Sequence, residues 1–200
     1  MLSRNIQYVW KLGEYKLYTG DGAIAFVGGS PVKLKQSSTT GIGDLSAAPP
    51  VDAVGSLDVE VTGADVLDTY IGVAYHSNKV CEYVGKVTVV KAPAIIEIYK
   101  GISTYKEFQK AEEFYPFGFT ENDAVAPFDT NDTYEAGDYL KPATVEVNGV
   151  TYAIWDKVDT SGLADGTYVY PAMVIGVIGS GANMILRVEL GTFIYYKSSS

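Results

Sequence analysis

Cysteine and histidine are almost absent from this 200-residue sequence, which contains only Cys81 and His76. A single cysteine forms no intramolecular disulfide, so we expect Cys81 to be a small buried hydrophobe that needs no oxidising compartment. Two such ligands are too few for a zinc cluster, and HExxH and CxxC motifs are missing. His76 falls in a predicted turn, where a surface position is expected.

Other catalytic motifs are missing as well. No serine lies in a GxSxG elbow, and the glycine-rich turns at residues 20–22 and 179–181 lack the lysine and the spacing of a phosphate-binding loop. Residues 129–132 offer alternating oxygen ligands of the kind that calcium prefers, but they lack the glycine and the distal glutamate of an EF-hand, so we interpret them as a turn. We therefore predict a protein that is not an enzyme and has no catalytic residues, metal or cofactor.

Long hydrophobic runs and excess positive charge are missing too. No apolar run approaches the length of a membrane span, and the first residues lack the apolar core of a signal peptide, so we expect no membrane partner and synthesis in the cytoplasm. The net charge of -9 argues against nucleic acid as a partner, because phosphate binding requires clustered Lys and Arg. The charge is uneven: the first 36 residues carry +3 and the remainder -12. This asymmetry either attracts an acidic partner or only keeps the chain soluble.

The residues that are abundant favour β structure. The sequence has 16 Tyr, 21 Gly and only three Met, and hydrophobic residues make up 47% of it. Aromatic and β-branched side chains suit a pleated surface, and this hydrophobic fraction is enough for a packed core. We predict an all-β fold, a small β-barrel or β-sandwich, in one or two domains.

Period-2 alternation and apolar runs predict the individual strands. These lie at residues 23–27, 32–34, 57–61, 70–75, 86–90 and 94–99. A polar stretch at residues 36–50 is predicted to be a surface loop. Residues 103–114 are the most helix-like segment, with apolar side chains on one face and Ser103 as a candidate cap, and predict one short helix.

Two hairpins are predicted in the last third of the chain. Asn148-Gly149 separates two alternating runs and suits the positive backbone angles of a tight turn. The second hairpin joins residues 173–178 to residues 184–190. The sequence of residues 70–74 is echoed at residues 174–178, each with a central glycine; since glycine weakens a strand, we expect Gly72 and Gly176 at a bulge, a bend or a close backbone approach.

These elements predict the domain organisation. Residues 1–22 have neither a helical face nor a clean alternation and are predicted to form an extended N-terminal arm. Residues 23–100 form a first β half, residues 101–132 an insertion or linker with the short helix, and residues 133–200 a second β half. One composite barrel spanning residues 23–200 is the other organisation that the pattern allows.

The order of several short motifs resembles the head-decoration, or capsid cement, proteins of tailed bacteriophages. The motifs are Ile-Gly-Val-Ala at 71–74, the strand at 86–90, Ala-Gly-Asp-Tyr-Leu-Lys-Pro at 136–142, Ile-Gly-Val at 175–177 and Leu-Arg-Val-Glu-Leu at 186–190. The resemblance covers roughly residues 55–190. It leaves the arm and the insertion unmatched. It implies a small β-barrel that binds the major capsid protein on the outside of a phage shell, without catalysis or cofactor.

The resemblance also implies a homo-oligomer, a trimer or a dimer, located at the capsid surface of the virion, with an N-terminal arm against the capsid lattice. Aromatic residues of the arm have little local core to enter, so they dock either on a neighbouring subunit or on this chain's own barrel. The candidate contact residues are Arg4, Tyr8, Trp10, Lys11, Tyr15 and Tyr18. Two further functions fit the composition: a receptor- or glycan-binding module of a tail or fibre, and a shell protein built as a single β-sandwich.

Overall fold

The computed structural model describes residues 6–17, 24–34, 50–53, 70–78, 81, 86–99, 125–180 and 184–198. These residues are nearly all strand, which confirms the predicted all-β class. The strands are β1 (Ile6–Leu17), β2 (Pro31–Leu34), β3 (Pro50–Ala53), β4 (Tyr70–Ala74), β5 (Lys86–Tyr99), β6 (Tyr139–Val147), β7 (Val150–Lys157), β8 (Gly166–Ile178) and β9 (Ile185–Lys197). The predicted helix at 103–114 and the predicted strand at 57–61 lie outside the described residues.

All nine strands belong to one nearly closed, mostly antiparallel sheet in the order β1-β3-β2-β4-β5-β9-β8-β6-β7. An additional pairing of β1 with β5 makes the first five strands a closed ring. Both predicted β halves therefore contribute to the same sheet, and β5 from the first half pairs with β9 from the second.

Residues 6–17, predicted as part of an extended arm, are a paired strand of this ring. β1 runs antiparallel to β5 from Ile6 opposite Ile96 to Lys16 opposite Lys86. Its pairing is irregular at two places, between Ile6 and Tyr8 and between Val9 and Lys11. These bulges interrupt the period-2 alternation by which a strand is recognised in sequence. The backbone of residues 6–17 thus folds back onto its own barrel.

β5 is the central strand, and it was predicted as two separate strands. Residues 86–91 pair with β1 on one edge and, at Val89 and Val90, with β4 on the other edge. Residues 94–99 pair with β9, and the first three of them also pair with β1. Pro93 separates the two pairings and has no backbone N–H to donate. β5 continues through this position as one strand while its neighbour on one edge changes.

The strands β6, β7, β8 and β9 form the second part of the barrel. Two short loop segments, one around Ala25 and one around Phe128, pair with the outer edge of β7. Ala25 bridges Tyr152 and Phe128 bridges Trp155 on the outer edge of β7. The segment that contains Ala25 also contacts β4, because the backbone N–H of Gly29 donates to the carbonyl of Ala74 at 2.8 Å. The buried Trp155 indole N–H also donates to the Gly29 carbonyl at 2.9 Å. Residues 25–29 therefore connect β7, at one end of the sheet, to β4 in the five-strand ring.

The interior is filled by side chains. The largest cluster is centred on Trp155 and contains Leu140, Ile96, Leu186 and Leu190. A second, within the five-strand ring, includes Cys81, which is 1% exposed as predicted for a small buried hydrophobe. His76, expected on the surface, is instead half-buried with its ring 4.7 Å from that of Tyr75. Within the described part of the chain, no helix has the length and hydrophobicity to cross a membrane.

The turn and glycine predictions are confirmed. Asn148 and Gly149 have positive φ values of 53° and 76° between β6 and β7. Gly72, with φ 142°, lies where β4 approaches β5 so closely that a Cβ would be 2.1 Å from the Val90 carbonyl oxygen. Gly176 follows a bulge in the pairing of β8 with β9.

Candidate interaction surface

The end of the β8–β9 hairpin projects beyond the rest of the sheet. β5 pairs with β9 only at residues 185–190, and β6 pairs with β8 only at Tyr139 and Leu140. Residues 166–170 of β8 and 191–197 of β9 therefore form a two-stranded extension, which we call the ribbon. Neither strand of the ribbon has another strand beside it among the described residues.

One face of the ribbon is packed. Four tyrosine rings meet there. The ring centroid of Tyr139 lies 5.2 Å from that of Tyr170 and 5.7 Å from that of Tyr195, and the ring centroids of Tyr168 and Tyr170 are 6.5 Å apart. The Tyr168 hydroxyl donates to the Ala164 carbonyl at 2.9 Å. Burial raises the pKa of the Tyr170 hydroxyl to about 12. These rings support the ribbon from one side.

The other face of the ribbon is open, and it lies on the side of the sheet opposite to the core-building face of β9. The register shift at residues 191–192 reverses the alternation along β9, so Phe193 and Tyr195 lie on the same side as the buried Leu190, and Ile194 and Tyr196 lie on the opposite side. On this opposite side Ile194 is 50% exposed and Tyr196 is 71% exposed. We call this surface the open face; its residues are Thr167, Val169, Thr192, Ile194 and Tyr196.

An open groove of about 620 Å³ lies beside the packed face of the ribbon. Tyr139 and Tyr195 contribute its aromatic surface, and Lys157 donates to Asp138 at 2.8 Å on its polar side. A hydroxyl hydrogen bond from Ser161 lowers the pKa of Asp159. The lining residues are Asp132, Thr133, Glu135, Gly137, Asp138, Tyr139, Lys157, Val158, Asp159, Thr160, Ser161 and Tyr195. Aromatic rings, hydroxyls and carboxylates together suit a polyhydroxylated ligand.

Three carboxylates meet at one edge of this groove. Oxygen atoms of Asp129, Asp132 and Asp156 all lie within 4.8 Å of one another. Burial, then the charges of Asp156 and Asp129, raise the pKa of Asp132. Asp129 accepts a hydrogen bond from the Asn131 backbone N–H at 2.8 Å, which is the turn role expected for residues 129–132. Lys141 lies 3.4 Å from Asp156 and offsets part of the negative charge.

Four of the six predicted contact residues of the arm belong to β1, which pairs with β3 and β5. Arg4 and Tyr18 are outside the described residues, and Tyr8, Trp10 and Lys11 are described only as backbone positions of β1. The Tyr15 ring is half-buried against the core of the five-strand ring, with Lys91 Nζ 4.9 Å from its centroid. The contact role of these six residues stays a prediction.

The residues of the open face were missed by sequence reasoning. Pro171 and Gly191 read as strand breakers, and both are accommodated in the structure. Pro171 lies at the register shift between Tyr170 and Ala172. The Phe193 ring covers Gly191, and its nearest carbon is 3.3 Å from where a Cβ of residue 191 would stand. A usable signal was present: residues 192–196 are all β-branched or aromatic and include no charged residue.

No protein-family model matches this sequence, and no curated protein or solved structure gives a match.

Proposed function

We propose that the protein is a non-catalytic structural module that attaches to a protein lattice, in the manner of a decoration protein on a phage capsid. The observation that supports this most is the open face. A strand face that presents Ile194 and Tyr196 to solvent, with no charged residue among its five members, has the composition of a buried interface. Aromatic residues on a rigid ribbon are also typical anchors of protein–protein contacts.

Attachment to a lattice does not require a deep pocket. Many copies that each bind weakly across a symmetric shell give strong net attachment through multivalency. The acidic surface, with a net charge of -9, keeps the free protein soluble before it attaches. The partner is then the major capsid protein, and the location is the outside of the virion.

Quantitative mass spectrometry of purified particles tests this function directly. Copy numbers near parity with the major shell protein support a decoration role. A handful of copies per particle indicates a vertex, tail or fibre component, and absence from the particles contradicts the proposal.

The role of the open face is tested by rebinding to shells that lack the protein. Tyr196→Lys removes an exposed ring, and we expect at least about tenfold weaker binding, about 1.4 kcal/mol. Val150→Lys is the matched control, because Val150 is also an exposed apolar residue, 44% exposed, and lies beside the turn of the β6–β7 hairpin and outside the ribbon. Equal binding by the two variants would show that the open face is not the contact.

A second candidate function, binding of a glycan receptor, is favoured by the groove. Tyr139 and Tyr195 offer ring faces to the apolar side of a sugar, and the surrounding hydroxyls and carboxylates offer hydrogen bonds. Screening on a glycan array, followed by Tyr195→Ala, separates this function from lattice binding. Binding to an array glycan that Tyr195→Ala abolishes and Tyr196→Lys leaves intact supports the groove as the glycan site. A lack of binding to any glycan on the array counts against this function.

A further inference from the structure

The groove beside the ribbon is built by three segments of the chain: the turn before β6, the loop after β7 and the end of β9. Asp138 Oδ2 accepts a hydrogen bond from the Glu135 backbone N–H at 2.7 Å and lies 2.8 Å from Lys157 Nζ. The Val158 backbone N–H donates to the Tyr139 carbonyl at 2.9 Å. These bonds hold the start of β6 against the end of β7, so the groove is preformed, as binding pockets usually are.

The groove concentrates negative charge. Four carboxylates and one lysine line it, so it carries -3 of the chain's net charge of -9: Asp132, Glu135, Asp138, Asp159 and Lys157. The lysine already has two partners, since it pairs with Asp138 and donates to the Thr133 carbonyl at 2.9 Å. Within the described part of the chain, Glu135 and Asp159 form no ion pair. Two carboxylates of the lining are therefore available to a positively charged ligand.

The titration of two lining residues reflects the same negative potential. The hydrogen bond to Asp138, followed by the charges of Asp138 and Glu135, raises the pKa of Lys157. Burial, followed by the charge of Asp156, raises the pKa of Asp132. Both groups thus favour added positive charge in the groove, and a phosphate, sulfate or acidic sugar is disfavoured there.

An aromatic ring completes the lining. The Tyr195 ring is half-buried and is supported by Tyr139, with the two centroids 5.7 Å apart and the ring planes at 60°. A guanidinium group suits this combination better than an ammonium group does. It is planar and weakly hydrated, stacks on an aromatic face and donates two parallel hydrogen bonds to one carboxylate.

We propose that the groove binds an arginine side chain from an extended segment of the partner protein. The guanidinium group packs on the Tyr195 ring and donates to the carboxylates of the lining. That the arginine belongs to a protein rests on the proposed lattice function, whereas the preference for a guanidinium group rests on the groove alone. Tyr195 and Tyr196 lie on opposite faces of the ribbon, so a segment in the groove leaves the open face available.

Fluorescence anisotropy with a labelled Gly-Arg-Gly-Arg-Gly peptide tests this preference. We expect saturable binding to the wild-type protein that weakens as the ionic strength is raised. The same peptide with citrulline in place of arginine keeps the shape of the side chain and removes its charge. It should bind at least about tenfold more weakly, because the hydrogen bonds to carboxylates lose their charge on one side.

Matched variants locate the binding site. Glu135→Gln and Glu146→Gln make the same change in net charge on two exposed side chains, but only Glu135 lines the groove. We expect Glu135→Gln to weaken peptide binding about two- to fivefold and Glu146→Gln to leave it unchanged. Tyr195→Leu, which keeps an apolar side chain and removes the ring, should also weaken binding about two- to fivefold. Circular dichroism verifies that each variant is folded.

Three results would overturn the inference: no saturable binding by the wild type, equal binding of the citrulline peptide, or equal weakening by Glu135→Gln and Glu146→Gln. A wild type that binds a neutral glycan through Tyr195 but not the arginine peptide would overturn it in favour of the glycan function. Failure of the lattice function is distinguishable, because a protein that is absent from particles and still binds the arginine peptide retains the groove as a guanidinium site.

Discussion

Gly72 and Gly176 look equivalent in the sequence, yet the structure predicts opposite responses to alanine. Each glycine is central in an echoed strand motif. At Gly72, φ is 142° and an added Cβ would lie 2.1 Å from the Val90 carbonyl oxygen. At Gly176, the nearest atom would be the Arg187 Cβ at 3.8 Å, which is an ordinary contact.

The expected cost of Gly72→Ala has two parts. A non-glycine residue at such a φ costs about 1–2 kcal/mol. Relieving the overlap also requires β4 to move away from β5, which weakens hydrogen bonds that contribute about 0.5–1.5 kcal/mol each. With two such bonds weakened at about 1 kcal/mol each, the sum is about 3–4 kcal/mol. This is a large share of a total stability of about 5–15 kcal/mol. Gly176→Ala should change the free energy of unfolding by less than about 1 kcal/mol, because it restricts the unfolded chain and creates no overlap.

Urea unfolding followed by tryptophan fluorescence measures both variants. With an m-value of about 2 kcal/mol/M, the midpoint of Gly72→Ala should fall by roughly 1.5–2 M, and that of Gly176→Ala by less than roughly 0.5 M. Equal midpoints for the two variants, or a Gly72→Ala midpoint close to that of the wild type, would refute the close approach of β4 to β5.

Three further predictions concern a buried hydrogen bond and two titrating groups. Trp155→Phe should cost about 2–4 kcal/mol in urea unfolding, since it leaves the Gly29 carbonyl without its indole donor and opens a gap in the core. Burial lowers the pKa of His76 from 6.5 to about 4, so protonation of this side chain favours the unfolded chain. The free energy of unfolding of the wild type, relative to that of His76→Gln, should therefore fall by about 3 kcal/mol between pH 6.5 and pH 4. Burial and neighbouring carboxylates raise the pKa of Asp132, so Asp132→Asn should stabilise the protein at pH 7, an advantage that disappears in acid. Asp159→Asn should be destabilising at pH 7, because hydrogen bonds from Ser161 lower the pKa of the Asp159 carboxylate; the same sign for both variants would contradict the assignment.

Local signals in the sequence predicted the parts of the fold that depend on neighbouring residues. Asn148-Gly149 specifies its turn through two positive φ values, and the alternation on either side specifies β6 and β7. The strand pattern at residues 70–75 was likewise sufficient to locate β4. In each case the residues that form the element also carry the signal.

The remainder depends on partners that are distant in the chain. β1 lacks clean alternation because its bulges are imposed by pairing with β5, some 80 residues away. The long strands β8 and β9 were recognised only in their inner halves, because Pro171 and Gly191 are tolerated at a bulge and under an aromatic ring. The candidate interaction surface follows from those outer halves, so it could not be predicted before their pairing was known.

The position of β5 has a consequence for synthesis of the chain on the ribosome. Ile96 pairs with Val188, which is translated 92 residues later. At a translation rate of about 5–20 residues per second, the apolar edge of residues 94–99 remains without its partner β9 for roughly 5–20 s. An uncovered edge of this kind readily pairs with other nascent chains. We therefore expect slower translation of residues 100–190 to lower the soluble yield, and chaperones that cover exposed strands to restore it.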